Sequence, residues 1–362
     1  MGSSAVPVLV TGVAGWVGLA LAKALASGLE GIFDGPPFGE APLKGLLGPG
    51  DGDSQVGKLA PNMRLSRGDV TAPETLGAFF DGAAGGTLFH CAGLIHPKKV
   101  KQFFEVNTVG TQNIWEAARA ATIKRVVIIS SNSPCGNNPH PDHLFDERSP
   151  YEPYMGYGRS KMLMEKKIAQ LSTRGGPETV IIRPPWFYGP FQPPRQTEFF
   201  LMIRDGRGPL VGPGHNRRSM TYIDNLVQGL LLGATRSEAA GKTYWIADRR
   251  PYPMTEIIDT VERVLEKDFG LKCRHKRLRL PSVAADMAGL MDWGLQALGM
   301  YQQKIHVLSE MNKTIACSVA LAESELGYRP QVELEEGMRR SVAWLMEQPG
   351  EKEKLVGKGK GF

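Results

Sequence analysis

Three glycines at fixed spacing, placed between a strand and a helix, constrain this chain more than any other stretch. Pro7-Val8-Leu9-Val10 is a short apolar run rich in β-branched residues, the pattern of a buried strand. Gly12, Gly15 and Gly18 follow, with Trp16 and Val17 between the last two. Leu19-Ala20-Leu21-Ala22-Lys23-Ala24-Leu25-Ala26 then reads as a helix. Strand, glycine turn and helix in that order form the context of a dinucleotide phosphate cradle. The glycines close the turn, let the backbone approach a pyrophosphate, and seat the helix on the sheet. Unpaired N–H groups and the positive dipole end at the helix start face the phosphates.

A second segment carries chemistry. Tyr157 and Lys161 are four residues apart, and a helix continuing through Met162-Leu163-Met164-Glu165-Lys166 puts both on one face. A free phenol titrates near pH 10, so it needs a neighbouring cation to work as an acid or base at neutral pH. Upstream, Arg125-Val126-Val127-Ile128-Ile129 reads as a strand that ends in Ser130-Ser131-Asn132-Ser133. Open α/β sheets bind ligands at the carboxyl ends of their strands. A hydroxyl there can hold a reacting oxygen beside the phenol.

These segments resemble an extended short-chain dehydrogenase/reductase of the NAD-dependent epimerase/dehydratase type, over roughly residues 7–347. Gly68-Asp69-Val70 resembles the end of the third strand, whose Asp touches adenine. Leu88-Phe89-His90-Cys91-Ala92-Gly93 resembles the strand end beside the cofactor. Asn107-Thr108-Val109-Gly110-Thr111-Gln112-Asn113 resembles the helix that follows, and Ile182-Arg183-Pro184 through Tyr188-Gly189-Pro190 the turn beside nicotinamide. The resemblance implies a catalytic triad of Ser131, Tyr157 and Lys161, with Ser133 as the alternative serine. It implies cofactor contacts from Gly12, Gly15, Trp16, Val17, Gly18, Asp69, Val70, Cys91, Ala92, Gly93, Asn107, Tyr157, Lys161 and Pro184. It also implies a homodimer.

The expected fold is α/β: a Rossmann-type doubly wound parallel sheet with a smaller C-terminal substrate-binding lobe. Residues 1–184 form the NAD(P)-binding domain, to which 215–250 return. Residues 185–214 and 251–348 form the lobe, and 349–362 a disordered tail. The second strand is expected at Leu43-Lys44-Gly45-Leu46-Leu47, weakened by its central glycine, or else at Ile32-Phe33. The first choice leaves Asp51 and Asp53 beyond the strand, the second leaves Asp34. An acidic residue there binds an unphosphorylated ribose, so both lean towards NAD over NADP.

Two substrate classes compete. The turn Arg183-Pro184 through Tyr188-Gly189-Pro190 and the apolar stretch Leu280–Met300 suit 3β-hydroxysteroid dehydrogenases and reductases of hydrophobic 3-oxo compounds. That stretch lines a pocket, packs in the core or rests on a membrane surface. Nucleotide-sugar 4-epimerases and dehydratases usually carry Asn where this chain has Trp186, and an arginine in the segment matching 306–319, where there is none. Arg217 and Arg218, before Tyr222-Ile223-Asp224, speak for that second class as a phosphate-binding feature, or are a surface or ion pair. Ser133, Trp186 and Arg218 are therefore the candidate substrate contacts.

Composition fits a small-molecule enzyme. A formal net charge of +6 over 362 residues is modest, and the basic cluster Lys272–Arg279 lacks any nucleic-acid motif around it. Four dispersed cysteines form no Cys-x-x-Cys, and there is neither a signal-peptide pattern nor an uninterrupted membrane-spanning run. The expectation is a cytoplasmic enzyme with reduced thiols. His140-Pro141-Asp142-His143 with Glu147 imitates a metal site but completes no defined geometry, and reads as a loop on the rim of the substrate cleft.

Overall fold

The computed structural model describes residues 6–357. Six strands alternate with helices through the first half: β1 (Val8–Thr11), β2 (Leu43–Leu47), β3 (Arg64–Arg67), β4 (Thr87–His90), β5 (Arg125–Ile129) and β6 (Glu178–Arg183). A later strand, Thr243–Trp245, completes a seven-stranded sheet in the order Thr243–Trp245, β6, β5, β4, β1, β2, β3. Every pairing is parallel. The strand order reverses between β1 and β4, which is where doubly wound sheets open a crevice for ligands.

Strand alternation sends successive side chains into two cores. Val8 and Val10 of β1 and Val127 of β5 pack on one face, while Leu9, Val126 and Ile128 pack on the other. Burial on both faces is why these strands are continuous apolar runs instead of alternating ones. The second strand is Leu43–Leu47, and Gly45 is there because of crowding. A Cβ on it would lie 2.8 Å from Leu65 Cδ2, 3.0 Å from Met63 Sδ and 3.0 Å from Val13 Cγ1. The alternative, Ile32-Phe33, lies beside only an isolated bridge between Leu29 and Phe33.

Beyond β6 the chain makes three small pairings. Trp186–Tyr188 pairs with Met220–Tyr222, Arg217–Arg218 with Tyr252–Pro253, and Pro209–Val211 with Leu278–Leu280. Two helices in this part of the chain are Met254–Lys267 and Ser282–Ala297. The expected disordered tail needs correction. Pro349–Val356 is a helix started by proline at its first turn. Its Leu355 is fully buried, and Arg204 Nη1 donates to Lys354 O at 2.9 Å. A single leucine among lysines and glutamates anchors that segment. The rest of the tail, 358–362, lies outside the described residues.

The first helix, Trp16–Ser27, depends on the absence of side chains beneath it. A Cβ at Gly18 would stand 2.1 Å from Gly12 O, so any larger residue must lift the helix off the turn. Gly18→Ala is expected to cost about 1–3 kcal/mol in chemical denaturation. It should also weaken cofactor binding measured by nicotinamide fluorescence, and unchanged binding would show that the cradle tolerates the shift.

Candidate active site

The glycine turn builds an anion site from backbone alone. Gly12 has φ +63°, and a Cβ on it would meet Ala92 N and Cα at 2.7 Å. The turn therefore lies directly on the end of β4. Gly15 caps the helix without a side-chain hydrogen bond, and no acidic residue occupies the first turn. The leading N–H groups of Trp16, Val17 and Gly18 are thus free of side-chain caps, and a cradle that a Cβ would fill suits a dinucleotide pyrophosphate. Trp16 turns its indole away: Nε1 donates to Pro190 O at 2.7 Å and the ring packs against Phe187.

The neighbouring strand ends line the same crevice. Asp51 folds back after β2, its Oδ2 accepting from Gly48 N at 2.8 Å. Asp69 follows β3 and accepts from Thr71 N and Oγ1 through Oδ1, both at 2.8 Å. Val70 presents its carbonyl to Asn113 Nδ2 at 2.9 Å. After β4, Cys91 N donates to Thr11 O at 3.2 Å and Ala92 N to Thr11 Oγ1 at 3.3 Å. His90 bridges Thr11 Oγ1 at 2.7 Å and Thr111 Oγ1 at 2.9 Å. Burial, helped by the Lys161 charge, drives its imidazole down to about 3, so it is a neutral structural link. Asn107 sits in a π-helical turn, Phe104–Gly110, and clamps Leu94 through both of its amide atoms (2.8 and 2.9 Å). Its Nδ2 also donates to Ser160 Oγ at 3.1 Å. Pro184 is buried immediately after β6.

Tyr157 and Lys161 rise from the helix Met155–Ser172. The Lys161 ammonium donates to Ile129 O at 2.9 Å. A Cβ on Gly93 would come within 3.4 Å of that ammonium and 3.5 Å of Asn107 Oδ1. This helix thus meets the ends of β4 and β5 at one point. Of the two candidate serines, Ser131 is the one close enough to act on the Tyr157 phenol, where it favours the ionised form. Ser133 lies behind it, Oγ to Oγ 3.2 Å, and donates its backbone N–H to Ser131 Oγ.

The electrostatics differ from the sequence expectation. Burial pushes the Tyr157 phenol up to about 12, the nearby Ser131 hydroxyl opposes this, Glu310 adds to it and Arg195 opposes it. Lys161 is not among the charges acting on the phenol; its own ammonium is pushed down to about 8 by burial, against the pull of Glu165 and Cys91. Burial likewise holds the Cys91 thiol up at about 12. At neutral pH the phenol is an acid and Lys161 a cation.

Several groups that pattern reading did not identify surround the phenol. Phe103 packs on the Tyr157 ring at 5.7 Å and on Tyr301 at 5.3 Å. Tyr301 Oη meets His96 Nδ1 at 2.9 Å, and its ring lies 5.4 Å from His306. His306 Nδ1 contacts the fully buried Asp292 at 2.7 Å. Gln296 donates to both oxygens of that carboxylate and accepts the Gly156 N–H at 2.9 Å, one residue before Tyr157. No periodicity signals how this cluster reaches the site, because its ties His96–Tyr301 and Gly156–Gln296 join residues 140 or more apart.

The substrate candidates separate. Ser133 backs the triad. Trp186 packs edge-on against Phe199 at 5.3 Å, in a small apolar cavity shared with Tyr188, Phe200, Met220 and Met338. Arg217 donates to Pro141 O at 2.8 Å, and Arg218 to Glu310 O. Neither forms an ion pair among the described residues, and Arg218 Nε is buried without a partner. In the loop that imitated a metal site, His143 Nδ1 is 2.9 Å from Asn138 Nδ2 and Glu147 accepts from Trp245 N at 3.4 Å. That loop is tied to residues 314–317 by Phe145 and Asn138.

Holding the helix in place is a buried ion pair. Glu165, two turns after Tyr157 on the same face, bonds Arg183 of β6 at 2.6 and 3.1 Å. Ser130 Oγ and Tyr151 Oη (2.8 Å) donate to the same carboxylate. Glu165→Gln is expected to destabilise the fold by about 3–5 kcal/mol, because it strands the Arg183 charge. A denaturant midpoint close to wild type would refute this account.

Comparison with known proteins agrees with the geometry. The profile of the NAD dependent epimerase/dehydratase family matches residues 8–247. The chain is 49% identical to an uncharacterized protein of Sinorhizobium fredii, y4nL, over 94% of this chain and 95% of that one. It is 26% identical to a 2-alkyl-3-oxoalkanoate reductase of Stenotrophomonas maltophilia, over 93% and 98% of the two chains. Its fold is shared with a dTDP-glucose 4,6-dehydratase from Streptomyces venezuelae solved with NAD bound, at 24% identity and a TM-score of 0.72, covering 95% and 98%. The chain belongs to the NAD-dependent epimerase/dehydratase family.

Proposed function

We propose that the protein is an NAD-dependent oxidoreductase that interconverts a secondary alcohol and a ketone on a small, fairly hydrophobic substrate. The observation that carries this reading is the Tyr157 phenol beside Ser131, sharing a helix with the Lys161 ammonium at the crevice of the glycine turn. The substrate lies against residues 185–214 and 251–348, and the cofactor against the sheet of residues 1–184 with 215–250. Asp51, bent onto the end of β2, favours an unphosphorylated ribose and hence NAD over NADP.

When bound, nicotinamide supplies or accepts the hydride. The chain's own residues handle the proton. Ser131 holds the reacting oxygen and the phenol together, and Tyr157 gives its proton to that oxygen as the ketone becomes an alcohol. A phenol held protonated by burial is prepared for this direction. Lys161, fixed on Ile129 O, keeps positive charge at the base of the site. The aromatic wall of Phe103 and Tyr301 excludes water from the phenol.

The nucleotide-sugar reading retains one supporting observation, the half-buried Arg218, whose guanidinium Nε is buried without a partner and suits a phosphate. Trp186 packed on Phe199 speaks against it. Stoichiometry separates the two: a dehydrogenase changes nicotinamide absorbance in proportion to product, and an epimerase shows no net change.

Tyr157→Phe should retain cofactor affinity while kcat falls roughly a hundred- to ten-thousandfold. Near-normal turnover would remove the phenol from the reaction. For ketone reduction, kcat/KM should be level at neutral pH and fall above about pH 8, where Lys161 loses its proton. The sign follows from its lowered value: the cation is present below pH 8 and lost above it. Lys161→Arg should keep the charge and abolish that inflection, and a wild-type profile flat to pH 10 would exclude a role for the ammonium.

A further inference from the structure

The helix Ser282–Ala297 is apolar on the side that faces solvent. Its inner side carries Ala285, Ala288 and Asp292, all buried. Val283, Met287, Leu290, Met291 and Leu298 follow one another at helical spacing on the opposite side, and Leu290 and Leu298 are 73% and 76% exposed. Trp293, 65% exposed, flanks this stripe. Surface helices of globular proteins put charge on that face, and apolar patches of this extent mark contact with something else.

The charges around the stripe say what that something is. Arg279 is exposed just before the helix begins. At the far end Lys99 bridges Met300, Val100 N donates to Gly299 O at 3.1 Å, and Lys98, Lys99 and Lys304 are exposed. Both carboxylates of the helix are already engaged, Asp286 with Lys313 at 2.9 Å and Asp292 with His306, and beside its start Asp259 and Glu262 are engaged with Arg277. No ion pair among the described residues engages Lys98, Lys99, Arg279 or Lys304. An apolar stripe with uncompensated cations at both ends is complementary to acyl chains edged by anionic headgroups. A two-fold pairing with a second copy would instead bring these cations together.

We propose that the outer face of Ser282–Ala297 docks the protein on an anionic lipid bilayer, lying in the interface without crossing it. Among the described residues no helix is long and apolar enough to cross a membrane. The same helix turns Gln296 inward onto Gly156, beside Tyr157. Docking therefore places the bilayer against the wall of the site and gives an apolar substrate a short route to the phenol. The docking itself does not rest on the reaction proposed above, and its test uses no substrate.

The test is sedimentation of the full chain with phosphatidylcholine vesicles, with and without phosphatidylglycerol. Wild type should bind the phosphatidylglycerol vesicles and leave them as salt rises. Lys98→Glu with Lys99→Glu should lower partitioning at least roughly twenty-fold, at about five-fold per lysine. Met287→Asn with Leu290→Asn should lower it at least about ten-fold, with the melting temperature and the mass in sedimentation velocity unchanged. Absence of wild-type binding, or full binding by the Met287/Leu290 variant, would overturn the proposal. A fall to half the mass in that variant would also overturn it, because the stripe would then be covered by a second copy.

Discussion

The Glu165–Arg183 pair is the interaction on which the site depends. Both residues are almost wholly buried, so neither charge is tolerable alone. Arg183 sits at the end of β6, while Ser130, at the end of β5, donates to the same carboxylate. The pair therefore fixes the helix carrying Tyr157 and Lys161 against two strand ends at once. Aromatic faces complete the enclosure, with the Arg183 guanidinium over Tyr151 at 5.4 Å and over Trp245 at 5.6 Å. A hydrophobic contact would give comparable adhesion without direction. The hydrogen-bonded pair specifies the rotation of the helix, and rotation decides whether residue 157 faces Ser131.

Local patterns made most of this fold legible. β1 and β5 are apolar runs because both sheet faces are covered, and the glycine turn announces itself because each glycine answers a separate steric demand. Gly45 shows the limit of such reading. As a propensity it argues against a strand, yet it is required by Leu65, Met63 and Val13, contacts made by residues distant in sequence. The tail misled for the related reason that Leu355 is one buried residue in a charged stretch, and composition averages it away. Arg183 was visible as part of a turn motif, but its partner Glu165 was not, since nothing in a sequence states which distant charges are buried together.

Electrostatics were the least legible layer. Placing Lys161 four residues from Tyr157 implies that the cation tunes the phenol. In the folded chain the ammonium is taken up by Ile129 O, and burial governs both groups. The direction of each shift is what desolvation dictates, up for the phenol and down for the amine. The charges that do reach the phenol, Glu310 and Arg195, come from helices more than thirty residues away on the chain.

The two faces of Ser282–Ala297 explain why its sequence resisted interpretation. A helix buried all round and a helix packed on the core by one face and on a bilayer by the other are both apolar all round, so periodicity cannot divide them. The structure divides them by depth. Asp292 lies on the covered side, where Gln296 and His306 satisfy it, and no charged residue lies on the stripe itself. A carboxylate buried inside and leucines exposed outside invert the ordinary arrangement. Each half of the inversion has its own cause. The buried Asp292 holds Gln296, and through it Gly156, at the start of the catalytic helix. The exposed leucines have no intramolecular work, which leaves an environment outside the chain as their reason.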